Sequence, residues 1–404
     1  MAMLEEKLVS LSAAAEYDAC SSSCGGSPTD RSAPSITRLL LPGGGALSVL
    51  KVLMTDACQY GCYYCANRAD RRCRRHSFKP DELVATFRGL HSRRLVNGLF
   101  LSSGVHGSAS ETMGAMITAV EALRDKHRFR GYVHLKVLPG APYDMVERAV
   151  ELADRVSVNM EAPTQRALDR LSANKTLAED VITRMHWIRQ ASGRAQPGSL
   201  KSGQTTQFVV GVAGETDHEL LSASEALRRS VGLRRAYFSA FRPIADTPLA
   251  GEPPAPLMRQ NRLYQADWLL RFYGFSLGEI TFDEVGHLPL TMDPKLAFAL
   301  RHLHLFPVEV NHVGRADLLR VPGIGPKSAD RILRARSGTR LRSVEALREI
   351  GVATGRAAPF ILIDGRCQGQ LSGVLRKHQA AVEQLQLDLA PAPAAAGAPL
   401  VAAG

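Results

Sequence analysis

The chain has 404 residues, room for two or three domains, and 45% of them are hydrophobic, enough for a large core. Fifty Lys and Arg against 39 Asp and Glu give a net charge of +11, and no run reaches the ~18 apolar residues of a membrane span. The opening MAMLEEKLVSLSAAAEYDAC holds acids where a signal peptide needs bases before an apolar run, so a cytoplasmic protein with reduced thiols is expected.

Residues 3–19 predict one amphipathic helix, and Ser21 to Pro34 a Ser/Gly/Pro-rich stretch, together an N-terminal segment over 1–35. Short β-rich runs then alternate with helical ones. The strand-like runs are 46–55, 98–103, 132–138, 155–160, 205–212 and 235–241. Strand–helix alternation repeated in this way implies parallel strands joined by crossover helices. Six units are too few to close an eight-fold barrel. The expected fold is therefore α/β, a partial (β/α)6 TIM-like barrel over 36–290, with functional residues at the C-terminal ends of its strands. After Pro289 the pattern changes to short Arg-rich helices with glycine hairpins, which predicts a small all-α domain over 291–385. Residues 386–404 are rich in Ala, Pro and Gly, 13 of 19, and are expected to be disordered.

Of seven cysteines, three fall within eight residues of the loop after the first barrel strand, DACQYGCYYCANR. Cys58, Cys62 and Cys65 form CxxxCxxC, with the aromatic Tyr64 just before the last. Three thiolates can hold three irons of a [4Fe–4S] cubane and leave the fourth open. An open iron can chelate the amino and carboxylate groups of S-adenosylmethionine, and one electron then yields a 5′-deoxyadenosyl radical. The rival is a zinc site completed by Cys73 or His76, but zinc sites favour paired CxxC knuckles.

The charge is uneven. From Lys295 to Lys377 fifteen Lys and Arg face six Asp and Glu, so this stretch carries +9 of the total and suits a polyanion, or else a solvated basic face. Within it, ADLLRVPGIGPKSADRILRAR reads as a helix-hairpin-helix with Gly323 and Gly325 in the hairpin and Lys327, Arg331 and Arg334 after it. Glycines let hairpin N–H groups approach a phosphate beside a helix N-terminus. A weaker copy lies 28 residues on, where Gly351 matches Gly323 and Ala353 replaces the second glycine. Paired hairpins are a double-stranded DNA-binding unit; a hairpin used for protein contacts is the alternative.

The cysteine loop resembles the signature of the radical S-adenosylmethionine (radical SAM) superfamily in spacing and in position. The resemblance implies cofactor contacts from Tyr64, from Ser102, Ser103 and Gly104 after the second strand, and from Ser157, Asn159 and Glu161 at the fourth. At the fifth strand it implies backbone packing of Val210, Gly211 and Val212 under the adenine. The usual glutamate after the second strand is absent here, so Ser102–Gly104 keep a backbone role only. Together with EKLVSLSAAAEYDAC and MDPKLAFALRHLHLFPVEVNHVGRADLLRVPGIGPKSADRIL, the loop is similar to a bacterial family of DNA modification or repair radical SAM proteins. That family is linked to uracil-DNA-glycosylase-like proteins. The resemblance implies a [4Fe–4S] cluster, S-adenosylmethionine, an electron donor such as flavodoxin or ferredoxin, and double-stranded DNA as partner. Hydrogen abstraction from a DNA nucleotide for repair or modification is the expectation, with repair of a thymine photoproduct as one form. An RNA-modifying enzyme and a non-catalytic, redox-responsive DNA-binding protein are the alternatives. No catalytic residue beyond the cofactor is expected by name; Tyr237 and Cys73 are candidates for a radical relay, and Cys20 and Cys24 are buried, incidental or cluster-associated thiols.

Overall fold

The computed structural model describes residues 2–18, 36–40, 45–196, 199–376 and 378–380. The Ser/Gly/Pro-rich stretch, Cys20, Cys24 and the Ala/Pro tail lie outside the described residues. The chain forms two compact units, one of 1–264 with 284–287, the other of 265–283 with 288–404.

The first unit runs α1 (Ala2–Ala14), β1 (Ile36–Leu40), β2 (Ala46–Leu53), α2 (Pro80–Ser92), β3 (Gly98–Ser102), α3 (Ala109–Glu121), β4 (Tyr132–Lys136), α4 (Tyr143–Leu152) and β5 (Arg155–Ser157). It continues through α5 (Gln165–Asp169), α6 (Thr183–Arg194), β6 (Gln204–Val210), α7 (Asp217–Val231) and β7 (Arg235–Ala240), and α8 (Leu257–Phe272) carries the chain out of it. The seven strands form one curled half-barrel sheet in sequence order, parallel from β2 onward. All residues of β3 and of β6 are buried, because helices cover one face of a parallel sheet and the barrel interior closes the other. The strand beyond the expected six is β1, which pairs antiparallel to β2 with Ile36 opposite Leu50. Its five residues lie between Pro34 and Pro42, too short a run to show period-two alternation.

Helix α7 illustrates how the helices fix the strand ends. Thr216 and Glu219 form a capping box at its start, and Gly232 ends it at φ 68°, a left-handed turn that glycine adopts without a Cβ clash. Leu220, Leu221, Leu227 and Val231 form its buried stripe. Burying each contributes roughly 1.5–3 kcal/mol, and Leu220→Ala would cost about 2–5 kcal/mol through the cavity left.

The second unit is helical: α9 (Pro294–Arg301), α10 (Arg315–Arg320), α11 (Pro326–Gly338), α12 (Val344–Glu349) and α13 (Thr354–Ala357). It is not all-α, as the sequence suggested, because β8 (Val308–Glu309), β9 (Ile361–Ile363) and β10 (Arg366–Cys367) form a three-stranded sheet. Strands of two or three residues leave no periodicity to read. Its hydrophobic core includes Leu318, Leu319, Ile332, Leu347, Phe360 and Ile361. Among the described residues, no helix is long and apolar enough to cross a membrane.

Candidate active site and hairpin module

The cysteine loop leaves the C-terminal end of β2 and folds over the mouth of the half-barrel. Cys58 Sγ accepts N–H bonds from Tyr60 and Val105, both 3.4 Å, and Cys65 Sγ accepts one from Asn67 at 3.4 Å. The buried Cys62 thiol donates to Ser172 Oγ at 3.4 Å. Backbone donors aimed at sulfur suit thiolates that bind iron, since they offset the charge each sulfur acquires. Burial, then the neighbouring Cys62, pushes the Cys65 thiol up to about 12. Metal binding is what displaces a proton held that firmly.

The three cysteines line one cleft of about 150 Å³ that is open to solvent. Tyr64, Ser102, Ser103, Gly104, Asn159 and Glu161 line the same cleft, so strands β2, β3 and β5 bring the sequence candidates together at their C-terminal ends. Among the described residues no three His, Cys, Asp or Glu side chains converge on a position for a single metal ion. Cysteines that bind separate irons of a cubane need no such convergence. Cys73, exposed, and His76 are not among the lining residues.

Gly104 is required by the close approach of two loops. A Cβ there would lie 2.9 Å from the Cys58 Cβ, and its N–H donates to Thr55 O at 2.8 Å. Ser102 O accepts from Met54 N–H at 2.8 Å, so the backbone of this segment partly serves to hold the cysteine loop. Ser103 Oγ is buried with no hydrogen-bond partner and belongs to the cleft lining, where a ligand would satisfy it.

Ser157 lies deeper. It pairs with His134 Nε2 at 2.9 Å and lines a smaller cavity with Lys136, Asn159, Gln207 and Tyr237. Burial holds His134 well below its usual range. Asn159 lines both cavities. Val210, Gly211 and Val212 line neither. Gly211, at φ 104°, gives its N–H to Glu215 at 2.5 Å and makes room for Ala255, whose Cβ would be 2.4 Å from an added Cβ.

Three charged residues of the cleft lining were not foreseen: Asp18, Lys136 and Lys175. Asp18 follows α1 and forms an ion pair with Lys136 at the end of β4. Burial pushes the Asp18 carboxyl up, but Lys136, with help from Ser102 and Lys51, outweighs it and holds it low. Lys51 Nζ donates to Glu16 O at 3.0 Å, so two barrel lysines grip the N-terminal segment. Lys175 pairs with Glu161 at 3.4 Å. Burial and then the Glu161 carboxylate, toward which the Tyr64 hydroxyl donates, hold Tyr64 well above its usual range.

In the second unit the hairpin Pro322–Gly325 joins α10 to α11. Gly323 has φ 87°, and a Cβ there would lie 2.7 Å from Ala353 O and 3.1 Å from Ala357 N. It therefore lets the first hairpin pack on the second. Gly325 precedes Pro326 as the N-cap of α11, and an added Cβ would be 3.1 Å from the Tyr273 hydroxyl. Pro326 has no N–H and Ala329 gives its own to Gly325 O at 2.8 Å, which leaves the N–H groups of Lys327 and Ser328 without a partner inside α11, along which Lys327, Arg331 and Arg334 are exposed. Arg331 also donates to Ile350 O at 3.1 Å, which ties α11 to the second copy. Beneath the hairpin, Lys295 is buried, donates to Ile324 O and stands 4.7 Å from the Tyr273 ring centre. Burial pulls its ammonium down to about 7 despite the nearby Asp293.

Residues 52–227 match the radical SAM superfamily, and residues 292–337 and 315–357 match the SAM-like helix-hairpin-helix tandem. No curated protein matches the chain. Similar solved structures include the [FeFe]-hydrogenase maturase HydG from Carboxydothermus hydrogenoformans, 11% identical with TM-score 0.44 over 54% of this chain and 50% of that one. Methylornithine synthase (PylB) is 12% identical with TM-score 0.44, over 54% of this chain and 60% of its own. The cobalamin- and [4Fe–4S]-containing methyltransferase TsrM from Kitasatospora setae is 14% identical with TM-score 0.39, over 49% and 35%. The chain thus spans about half the length of the maturase.

Proposed function

We propose that this chain, whose residues 52–227 match the radical SAM superfamily, is an enzyme of that class, which works with a [4Fe–4S] cluster and S-adenosylmethionine, and that it abstracts hydrogen from a DNA nucleotide in repair or modification. In this reading Cys58, Cys62 and Cys65 hold the cluster, and the cleft beside them takes S-adenosylmethionine. Bound there, the two cofactors supply a 5′-deoxyadenosyl radical when a flavodoxin- or ferredoxin-like donor provides one electron. The chain's own residues do the rest. Ser103 and Asn159 offer polar atoms to the cofactor, and Glu161 fixes Tyr64 and Lys175 beside the thiols. The barrel interior below is lined by Lys136, Gln207 and Tyr237. The Lys136–Asp18 pair anchors the N-terminal segment at the mouth of the cleft, where it limits the entry of water.

The strongest support for the radical chemistry is the convergence of the three thiols with Ser103, Asn159 and Glu161 on one cleft. Support for DNA is the exposed row Lys327, Arg331 and Arg334 after a hairpin whose following helix offers unpaired N–H groups, a sequence-independent phosphate grip. A nucleotide turned out of the helix reaches a barrel mouth more readily than a stacked one. A uracil-DNA-glycosylase-like partner belongs to the same reading and rests on the family resemblance alone.

The test is mass spectrometry of nucleosides from cells with and without the gene. A DNA nucleoside present in only one of the two supports the proposal. A difference confined to RNA nucleosides moves the substrate to RNA, and identical profiles with no 5′-deoxyadenosine formed in vitro favour a redox-responsive DNA-binding protein.

A further inference from the structure

The segment Leu171–Lys175, just after α5, clasps three consecutive residues of the cysteine loop. Tyr63 N–H donates to Leu171 O at 2.8 Å, the Cys62 thiol to Ser172 Oγ at 3.4 Å, and Gly61 N–H to Asn174 Oδ1 at 3.1 Å. The clasp ends at Lys175, which lines the thiol cleft with its side chain only 7% exposed. Its partner Glu161, equally buried, is itself fixed. The Glu161 N–H donates to Gln207 O at 2.9 Å, its carbonyl accepts from Val209 N–H at 2.8 Å, and its φ is 63°. A non-glycine residue holds that conformation only where its surroundings impose it.

A buried ammonium demands compensation. Glu161 supplies one negative charge at 3.4 Å and shares it with the Tyr64 hydroxyl. The three thiols line the same cleft as Lys175 and supply further negative charge once they bind iron as thiolates. Glu161 at 3.4 Å favours the charged ammonium against the cost of its burial.

We infer that Lys175 is a positioning residue for the iron–sulfur cluster, its ammonium fixed by Glu161 and the clasp so as to offset the charge at the three thiolates and raise the cluster's one-electron reduction potential. The inference rests on Cys58, Cys62 and Cys65 being the ligands. Reduction adds one electron, from a low-potential external donor, and one negative charge at this spot, while Lys175 keeps its proton. A fixed positive charge therefore stabilises the reduced state more than the oxidised one.

The experiment is a redox titration of the full chain, reconstituted anaerobically with iron and sulfide and free of S-adenosylmethionine, read by electron paramagnetic resonance. Lys175→Met is expected to lower the equilibrium constant for reduction at least ten-fold, a shift of about 59 mV. Lys175→Arg, which keeps the charge, should retain most of the wild-type potential. Glu161→Gln removes the counter-charge and leaves the ammonium, so it should shift the potential the opposite way. A role confined to packing would not reverse sign between the two. Equal potentials in wild type and Lys175→Met at equal iron content overturn the inference, as does a downward shift in Glu161→Gln. If Lys175→Met takes up no cluster, the direction of the Glu161→Gln shift decides. A wild-type chain that takes up no iron removes the ligand assignment, and this inference with it, and is recognised by missing iron rather than by an unmoved potential.

Discussion

The barrel mouth and the hairpin module use charge in opposite ways. At the mouth charged side chains are buried and compensated in pairs, Lys175 with Glu161 and Lys136 with Asp18, around thiols that line a cleft. In the module the core is mostly apolar, and Lys327, Arg331 and Arg334 face solvent. Buried, paired charge is costly and is kept where it positions or tunes a reacting group. Outward charge costs little and acts on a large, oppositely charged partner. The same residue types therefore indicate local chemistry in one unit and polyanion binding in the other.

That contrast can be broken most severely at the cysteines. Replacing Cys58, Cys62 and Cys65 together with alanine should remove all cluster iron and sulfide, measured by chemical analysis and absorption, while DNA binding by the same protein persists. A triple variant with full cluster content would end the ligand assignment. Next in size is Gly323→Val, which forces a β-branched residue into φ 87° with its Cβ 2.7 Å from Ala353 O. Strain and overpacking together should cost about 3 kcal/mol, read by urea unfolding followed through the module's helices. An unchanged midpoint would mean that the two hairpins do not pack as described.

A smaller effect sharpens an exception to the contrast, the buried Lys295. Its ammonium titrates near 7 in the folded chain against ~10.4 in an unfolded one. Between those values the unfolded state binds more protons, so stability should rise with pH. From pH 7 to pH 9 the gain should be about 2 kcal/mol in urea unfolding, and Lys295→Met should flatten it. Least in size is Lys327→Ala. It should flatten the slope of log affinity against log salt by about 0.9 and weaken all duplex sequences about equally.

The six parallel strands were legible because β-rich runs alternate with helical ones. Strand β3 reads as a nearly continuous apolar run, whereas β6 opens on Gln204, Thr205, Thr206 and Gln207 and was picked out by its β-branched residues and the FVV that follows. The thiol triad was legible because metal ligands on one loop must keep fixed spacing. Strand β1 and the sheet of β8 to β10 were not, since two to five residues carry no period. Nor was the clasp. Lys175 stands 110 residues beyond Cys65, and only the fold brings them together. Gly323 was picked out for a phosphate, whereas the structure adds a second reason for it, contact with Ala353 and Ala357. Sequence marks where a glycine is needed without saying what approaches it.

The central claim is that radical chemistry at the first unit acts on DNA held by the second. It is tested most directly by incubating the anaerobically reconstituted chain, S-adenosylmethionine and a reductant with duplex DNA deuterated in its nucleotides. The account predicts deuterium in the 5′-deoxyadenosine formed, and none when deuterated RNA replaces the DNA. Formation of 5′-deoxyadenosine at the same rate without DNA, and free of deuterium when DNA is present, would contradict it.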